Sequence, residues 1–425
     1  MNDLLKINYE KYTLDNGLEV ILYPDKSLPI LSANIWYRVG SANETKGKTG
    51  FAHLFEHMMF QGSKHVPKQM HFKYIQEAGG NLNGTTSSDR TNYYQSLPSN
   101  YLEMVLWLES DRMGFLIPAL GQDKLDNQID VVKNERRQRY DNAPYGLAWE
   151  IIFSRLYPEN HPYHWPTIGY MQDISNITLS DVKEFFHTYY VPNNASLVIG
   201  GDINVPKTKE LIERYFGPIS RGLDVKEVYV PKTELTENIS LVHEDNVQLP
   251  RIYFVWHSTK AYTEEDAALD ILSYILSSSK NSRLYKSLIF EAEIAQDISA
   301  FQHSAKYGGS FVVVATARPG ISLDQIKEEI FRELKLVIEN GIRQEELDKA
   351  KNNIKASFIF SMQNLNSLVN HLNEYNFYFE NPDSFNFDLE RYQKIDTAAL
   401  RSAAEKFLRK PCLELRIIPK SITQG

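Results

Sequence analysis

Two histidines and a glutamate stand close together in residues 48–63, KTGFAHLFEHMMFQGS, as His53-Leu54-Phe55-Glu56-His57. Apolar side chains at Phe51, Ala52, Leu54, Phe55, Met58 and Met59 cover most of a helix's circumference, which predicts a buried helix. Polar groups in such a helix need partners, because burying them unpaired is costly. His53 and His57 are four apart and lie one turn above each other on one face. Two imidazole nitrogens placed that way can grip one zinc ion, with Glu56 leaning towards the same spot. The order H-x-x-E-H reverses H-E-x-x-H, in which the Glu is the general base for a water activated by the metal. The plain alternative is a pair of satisfied core or surface histidines. Chance produces the pattern in a chain of this length about once in a hundred, so it is informative without being decisive.

A catalytic zinc ion takes three protein ligands and leaves a fourth position open, so a third ligand must come from elsewhere. Glu135, in Val131-Val132-Lys133-Asn134-Glu135-Arg136-Arg137, sits inside a helical stretch with two apolar residues a turn before it. By spacing alone it is one of several acids, and an ion pair with Arg139 at i+4 on the surface is the simpler reading.

The elements that would position these residues follow from pattern. Residues 9–14 and 18–23 alternate and are joined by Asp15-Asn16-Gly17, a hairpin signal. Residues 31–37 read as a strand, 68–78 as a helix stopped by Gly79-Gly80, and 81–97 as one Thr/Ser/Tyr-rich strand with a polar side. Helical periodicity covers 104–113 and 122–140. Thr178, with Asp181 three residues on, predicts a capped helix over 179–189, and 195–201 is a buried strand.

After a linker-like stretch, the order of elements recurs: strand 251–257, helix 265–276, strand 311–317, helix 324–339. Residues 343–380 begin as a strong helix former, with Lys349, Lys351 and Lys355 on its solvated face. The fold class is therefore α+β, two tandem similar domains, each a mixed sheet packed with helices. The boundaries are 1–220 for the domain with the motif, 221–240 for the linker and 241–425 for a second domain without it.

The chain has 425 residues, 42% hydrophobic and 24% charged, ordinary values for globular domains. A net charge of −8 argues against a nucleic-acid partner. The single cysteine, Cys412, reads as a small buried hydrophobe. No apolar run is long enough to span a bilayer, and the N-terminus lacks a basic region followed by an apolar core, so a cytoplasmic protein is expected. A leader removed before residue 1 would leave the same sequence. No G-x-G-x-x-G or Walker-type loop supports a nucleotide-binding enzyme.

Together LDNGLEVILYPD, ANIWYRVGSANE, GFAHLFEHMMFQGS, GGNLNGTTSSDRTNYY, VVKNERRQ, HPYHWPTIGYMQDI and ALDILSYILSSSKNSRLYKSL resemble the pitrilysin/insulysin/mitochondrial-processing-peptidase family of inverzincin zinc peptidases, short-subunit branch. The resemblance spans nearly all of residues 10–410. It implies that His53, His57 and Glu135 bind Zn2+ and that Glu56 activates the water. It also implies that Asn83, Gly84, Thr85 and Thr86 lie on an edge strand where a peptide substrate pairs by β-addition.

Two departures from the family pattern stand out. Gln128 stands where an acid often precedes the ligand Glu by seven residues, which bears on metal affinity. After Ser282-Arg283-Leu284-Tyr285, Ile289 and Gln296 stand where the family has an Arg and a Tyr that hold substrate and polarise its carbonyl. The resemblance thus implies half of a clamshell dimer, completed by a paralogous subunit carrying the Arg/Tyr pair, with a homodimer as the runner-up. The function expected is a zinc-dependent endopeptidase subunit acting on peptides or unfolded segments. The alternative is a non-catalytic scaffold or assembly subunit. His161 and His164, three apart in HPYHWP, read as part of a turn, with a second metal site as the alternative.

Overall fold

The computed structural model describes residues 6–420. In chain order the elements are β1 (Glu10–Thr13), β2 (Glu19–Pro24), β3 (Ile30–Tyr37), α1 (Phe51–Met58), α2 (Met70–Glu77), β4 (Asn81–Thr86), β5 (Thr91–Pro98), α3 (Leu102–Phe115) and α4 (Gln122–Arg136). They continue with α5 (Ala148–Leu156), α6 (Met171–Ser175), α7 (Leu179–Tyr189), β6 (Ala195–Gly201) and α8 (Val205–Phe216). Next come β7 (Ile239–Asp245), β8 (Arg251–Ser258), α9 (Glu264–Ser277), α10 (Arg283–Tyr285), β9 (Ala295–Ser304), β10 (Gly309–Ala317) and α11 (Leu323–Asn340). The chain closes with α12 (Gln344–Ser361), α13 (Leu365–Phe379), α14 (Phe385–Lys394), α15 (Thr397–Leu408) and β11 (Leu413–Pro419).

Two sheets result, ordered β1-β2-β6-β3-β5-β4 and β7-β11-β8-β10-β9. Each is mixed: β2 runs parallel to β6 and β7 parallel to β11, while their other pairings are antiparallel. The second sheet repeats the plan of the first, with β8, α9, β9 and β10 in the places of β3, α1, β4 and β5. Two similarly built α+β domains are therefore present. The compact units draw on separated pieces of chain. One takes residues 6–136, Trp165–Tyr229 and Ile359–Asn386, and the other Arg137–His164, Val230–Phe358 and residues 387–420.

In the first unit β3 is buried on both faces. Leu31, Ala33, Ile35 and Tyr37 point one way and Ser32, Asn34 and Trp36 the other. The second of these faces is covered by α13, whose asparagines recur at helical spacing. Ser32 Oγ donates to Asn366, Asn34 Nδ2 to Asn370 at 3.2 Å, and Asn373 Nδ2 to the Asn34 carbonyl at 3.0 Å. Polar groups sealed in this way must pair, so these bonds fix the register of the helix on the sheet. In the second unit Ile252, Phe254 and Trp256 of β8, Leu269 and Leu272 of α9, Ile330 and Leu334 of α11 and Phe407 of α15 form one apolar core, which also holds Cys412. Burial raises the Cys412 thiol to about 11, as expected of an inert core cysteine.

The first hairpin and the helix Leu179–Tyr189 form as expected, the latter with Thr178 and Asp181 reciprocally hydrogen-bonded. Two expectations are corrected. Residues 81–97 are not one strand but the hairpin β4–β5. It turns at Ser87–Arg90, where Ser87 N–H donates to the Arg90 carbonyl; the Ser-Ser-Asp turn chemistry is hidden in a uniformly polar run. The helix expected over 122–140 ends at Arg136 and widens into a π-helical segment, Arg137–Asp141. The stretch 343–380 begins as the helix expected, α12, and continues into a second one, α13, whose cap Asn364 accepts from the Ser367 N–H. No helix among the described residues is long and apolar enough to cross a membrane.

Candidate metal centre and active site

α1 begins at Gly50, whose left-handed backbone (φ +81°) carries no side chain to cap the helix. Glu44 does so from six residues upstream. Its Oε2 accepts from the Gly50 N–H at 3.0 Å and its Oε1 from the Ala52 N–H at 2.8 Å. A carboxylate at a helix N-terminus satisfies orphan amides and meets the positive end of the helix dipole. Burial pushes the Glu44 carboxyl well above its usual range, against the pull of those amides.

The apolar side of α1 is anchored by rings, Phe51 against Phe185 at 4.5 Å and Phe55 against Tyr190 at 4.2 Å. That packing leaves His53, Glu56 and His57 on a half-buried face.

Glu135, in the last turn of α4, meets this face. Its Oε2 lies 3.4 Å from His57 Nε2 and 3.7 Å from His53 Nε2. One ligand atom from each residue can be chosen so that all three lie within 4.8 Å of one another. Nitrogen and oxygen ligands about 2.1 Å from a tetrahedral ion stand about 3.4 Å apart, so the group has the spacing of ligands around a common centre. Two imidazoles and a carboxylate are also the donor types of catalytic zinc sites. The residues present therefore fit a zinc ion. The surface ion-pair reading of Glu135 gives way, since its carboxylate faces both imidazoles.

Glu56 lies beside this group. Its Oε2 accepts from Thr86 Oγ1 at 2.6 Å, which links α1 to β4. Burial raises the Glu56 carboxyl, while the Thr86 hydrogen bond and nearby His57 pull it down. Gly84 makes the approach of strand and helix possible, since a Cβ there would stand 3.1 Å from Glu56 Cγ. Arg90 braces the strand by donating to the Thr85 carbonyl at 3.0 Å and to its hydroxyl. Among the described residues β4 is the edge strand of its sheet, with β5 as its one neighbour. Asn83, Gly84, Thr85 and Thr86 therefore lie on a free strand edge, and Asn83 Oδ1 accepts from the Gly84 N–H.

The remaining flagged positions fall elsewhere. Gln128 is buried and donates to Asn127 Oδ1 at 2.8 Å. Ile289 packs against the core of the second domain, and Gln296 lines a cleft with Tyr145, Asp245 and Arg251. His161 stacks on Tyr157 at 4.4 Å and its Nδ1 accepts from the Tyr163 N–H, while His164 Nδ1 lies 2.7 Å from the Tyr157 carbonyl. Both histidines serve the turn. Among the described residues, only His53, His57 and Glu135 gather as metal-capable donors. Sequence reasoning missed Glu44. Its only signal was an acid shortly before a helix that starts on glycine.

Residues 20–160 match the model of insulinase, peptidase family M16, and residues 176–354 match that of the peptidase M16 inactive domain. The zinc protease PqqE of Helicobacter pylori is 34% identical over 362 residues, covering 84% of this chain and 80% of that protein. A crystal structure of a protease from Helicobacter pylori superposes with a TM-score of 0.90 at 29% identity, covering 98% of this chain and 100% of the other. A peptidase M16 inactive domain from Pseudomonas fluorescens shares the fold, with a TM-score of 0.86 at 18% identity and 98% of each chain covered. The fold and donor set are those of a zinc metalloendopeptidase, and the chain belongs to the insulinase family, peptidase family M16.

Proposed function

We propose that this chain is the zinc-bearing subunit of a short-branch family peptidase that hydrolyses peptides or unfolded segments. His53, His57 and Glu135 are its zinc ligands and Glu56 its general base. The observation that carries this reading is the convergence of two imidazoles and a carboxylate within 4.8 Å. A zinc ion bound there supplies Lewis acidity, polarising a peptide carbonyl and making water more acidic. Glu56 takes the proton of the attacking water and passes it to the leaving amine. Thr86 holds one Glu56 oxygen and leaves the other for that transfer. The edge of β4 at Asn83, Gly84, Thr85 and Thr86 takes up the extended substrate backbone, whose unpaired amides and carbonyls it complements.

Residues 1–220 act as the zinc-bearing domain, 221–240 as a linker and 241–425 as the second domain. Ile289 and Gln296 offer neither a cation nor a phenol to the oxyanion, so those donors come from a paralogous subunit with an Arg/Tyr pair. The two close as a clamshell, and a homodimer is the competing assembly. A cytoplasmic site of action is part of this reading and is tested by cell fractionation. Peptidase assays of the purified chain alone and of the complex recovered from its source test the whole. The reading expects weak cleavage by the chain alone, strong cleavage by the complex, and neither after Glu56→Gln. Full activity without a partner contradicts the heterodimer. Cleavage unaffected by Glu56→Gln contradicts the general base.

A further inference from the structure

The spacing of α1 and α4 decides where Glu135 meets the two imidazoles, and one loop touches the starting end of α1 and the closing end of α4. Its residues, Trp165-Pro166-Thr167-Ile168-Gly169-Tyr170, belong to a run that the sequence singles out and that no catalytic role has absorbed. Gly169 lies against Gly50, the residue that starts α1. Both have left-handed backbones (φ +75° and +81°), and a Cβ on either would overlap the other's chain segment. The Gly169 carbonyl accepts from Arg136 Nη1 at 2.6 Å. Arg136 is 5% exposed and directly follows Glu135 on α4.

Two more bonds anchor the loop. The Tyr170 N–H donates to Thr49 Oγ1 at 2.9 Å, next to Gly50. Trp165 Nε1 donates to the Ser41 carbonyl at 3.0 Å, in the turn that leads to Glu44, the cap of α1.

We infer that residues 165–170 act as a spacer between the two ligand-bearing helices, with Gly169, Arg136 and Glu44 as positioning residues for the donor triad. This rests on the ligand reading above. Metal–ligand distances tolerate errors of only about 0.2 Å, and the two helices are brought together from distant parts of the chain. A backbone-to-backbone contact between glycines is the shortest spacer available, and no rotamer change can relax it. The Arg136 guanidinium then ties the end of α4 to the same point.

The test is zinc affinity of the purified full chain, by competition with a chromophoric chelator, alongside urea unfolding of the metal-free protein. Variants are Gly169→Ala, Arg136→Lys and Glu44→Gln. The control is Val337→Ala in the core of the second domain. Supporting residues around metal ligands typically contribute 10–100-fold in affinity, so each site variant should bind zinc at least about tenfold more weakly. The control should lower the urea midpoint and bind zinc as wild type does. If Gly169→Ala fails to fold, the two milder variants decide. Affinities within twofold of wild type for Arg136→Lys and Glu44→Gln would overturn the inference and leave the ligand reading intact. No zinc uptake by wild type would overturn the ligand reading first and this inference with it.

Discussion

α1 and α9 occupy the same place in two similar domains, yet they solve the burial of polar groups in opposite ways. Each follows a central strand and precedes a hairpin, and each carries ionisable residues four apart. In α9 these are Asp266 and Asp270. Arg391 Nη1 reaches Asp266 at 3.3 Å and also pairs with Asp388, while Tyr392 donates to Asp270 at 2.7 Å. The cation is part of the chain. In α1 the residues are His53 and His57, and the group facing them is a carboxylate at 3.4 and 3.7 Å. These distances are longer than the 2.7–2.9 Å of a charge-assisted hydrogen bond and suit three ligands around one ion. α9 is capped by its own Thr263, whereas α1 starts on glycine and takes its cap from Glu44. The shared plan fixes where the helix lies, and the side chains decide whether it holds the chain together or offers donors that can chelate a metal ion.

The largest effect that would sharpen this contrast is on catalysis. Glu56→Gln should lower kcat about 10³-fold, within the range for a lost general base, with zinc content unchanged by elemental analysis. In the other domain Arg391→Met strands Asp266 and Asp388 in the core. It should lower stability to urea by about 3–5 kcal/mol while zinc stoichiometry stays as in wild type. Loss of zinc in that variant would break the separation drawn between the two helices.

Thr86→Val should lower kcat about tenfold, because a hydrogen bond to a charged group contributes about 1.5–3 kcal/mol, and Thr86→Ser should restore most of it.

A further effect is on pH dependence and belongs to the second compact unit, which holds both His161 and His257. Burial holds His161 and His257 down to about 4. Because these folded values lie below the unfolded value of about 6.5, the stability they contribute is complete above pH 6.5 and is lost as pH falls through 4. Urea midpoints of the metal-free protein should drop over that window, and His257→Phe should flatten the drop by about 2 kcal/mol.

Much of this was legible in the residues. Helical spacing placed His53, Glu56 and His57 on one face, alternation found β1 and β2, and β3, β6 and β8 also read as strands. Glu135 was legible as a ligand only through family resemblance, since one acid in a charged helix resembles its neighbours until the chain folds. β9 was missed because AQDISAFQHS alternates poorly and is exposed at irregular positions along an edge. The covering of one sheet face by α13 was also hidden. Asn366, Asn370 and Asn373 form a helical stripe, but polar stripes usually face water, and here the stripe pairs with Ser32 and Asn34 beneath it. Arg136 acts through a carbonyl far along the chain, which no local pattern reports, and Glu44 through amides six and eight residues on, beyond the usual capping spacing.

Elemental analysis of the purified wild-type chain and of Glu135→Ala, side by side, addresses the metal centre most directly. The account predicts one zinc ion per wild-type chain and a large loss from the variant. Zinc retained in full by Glu135→Ala, or absent from the wild-type chain, would contradict it.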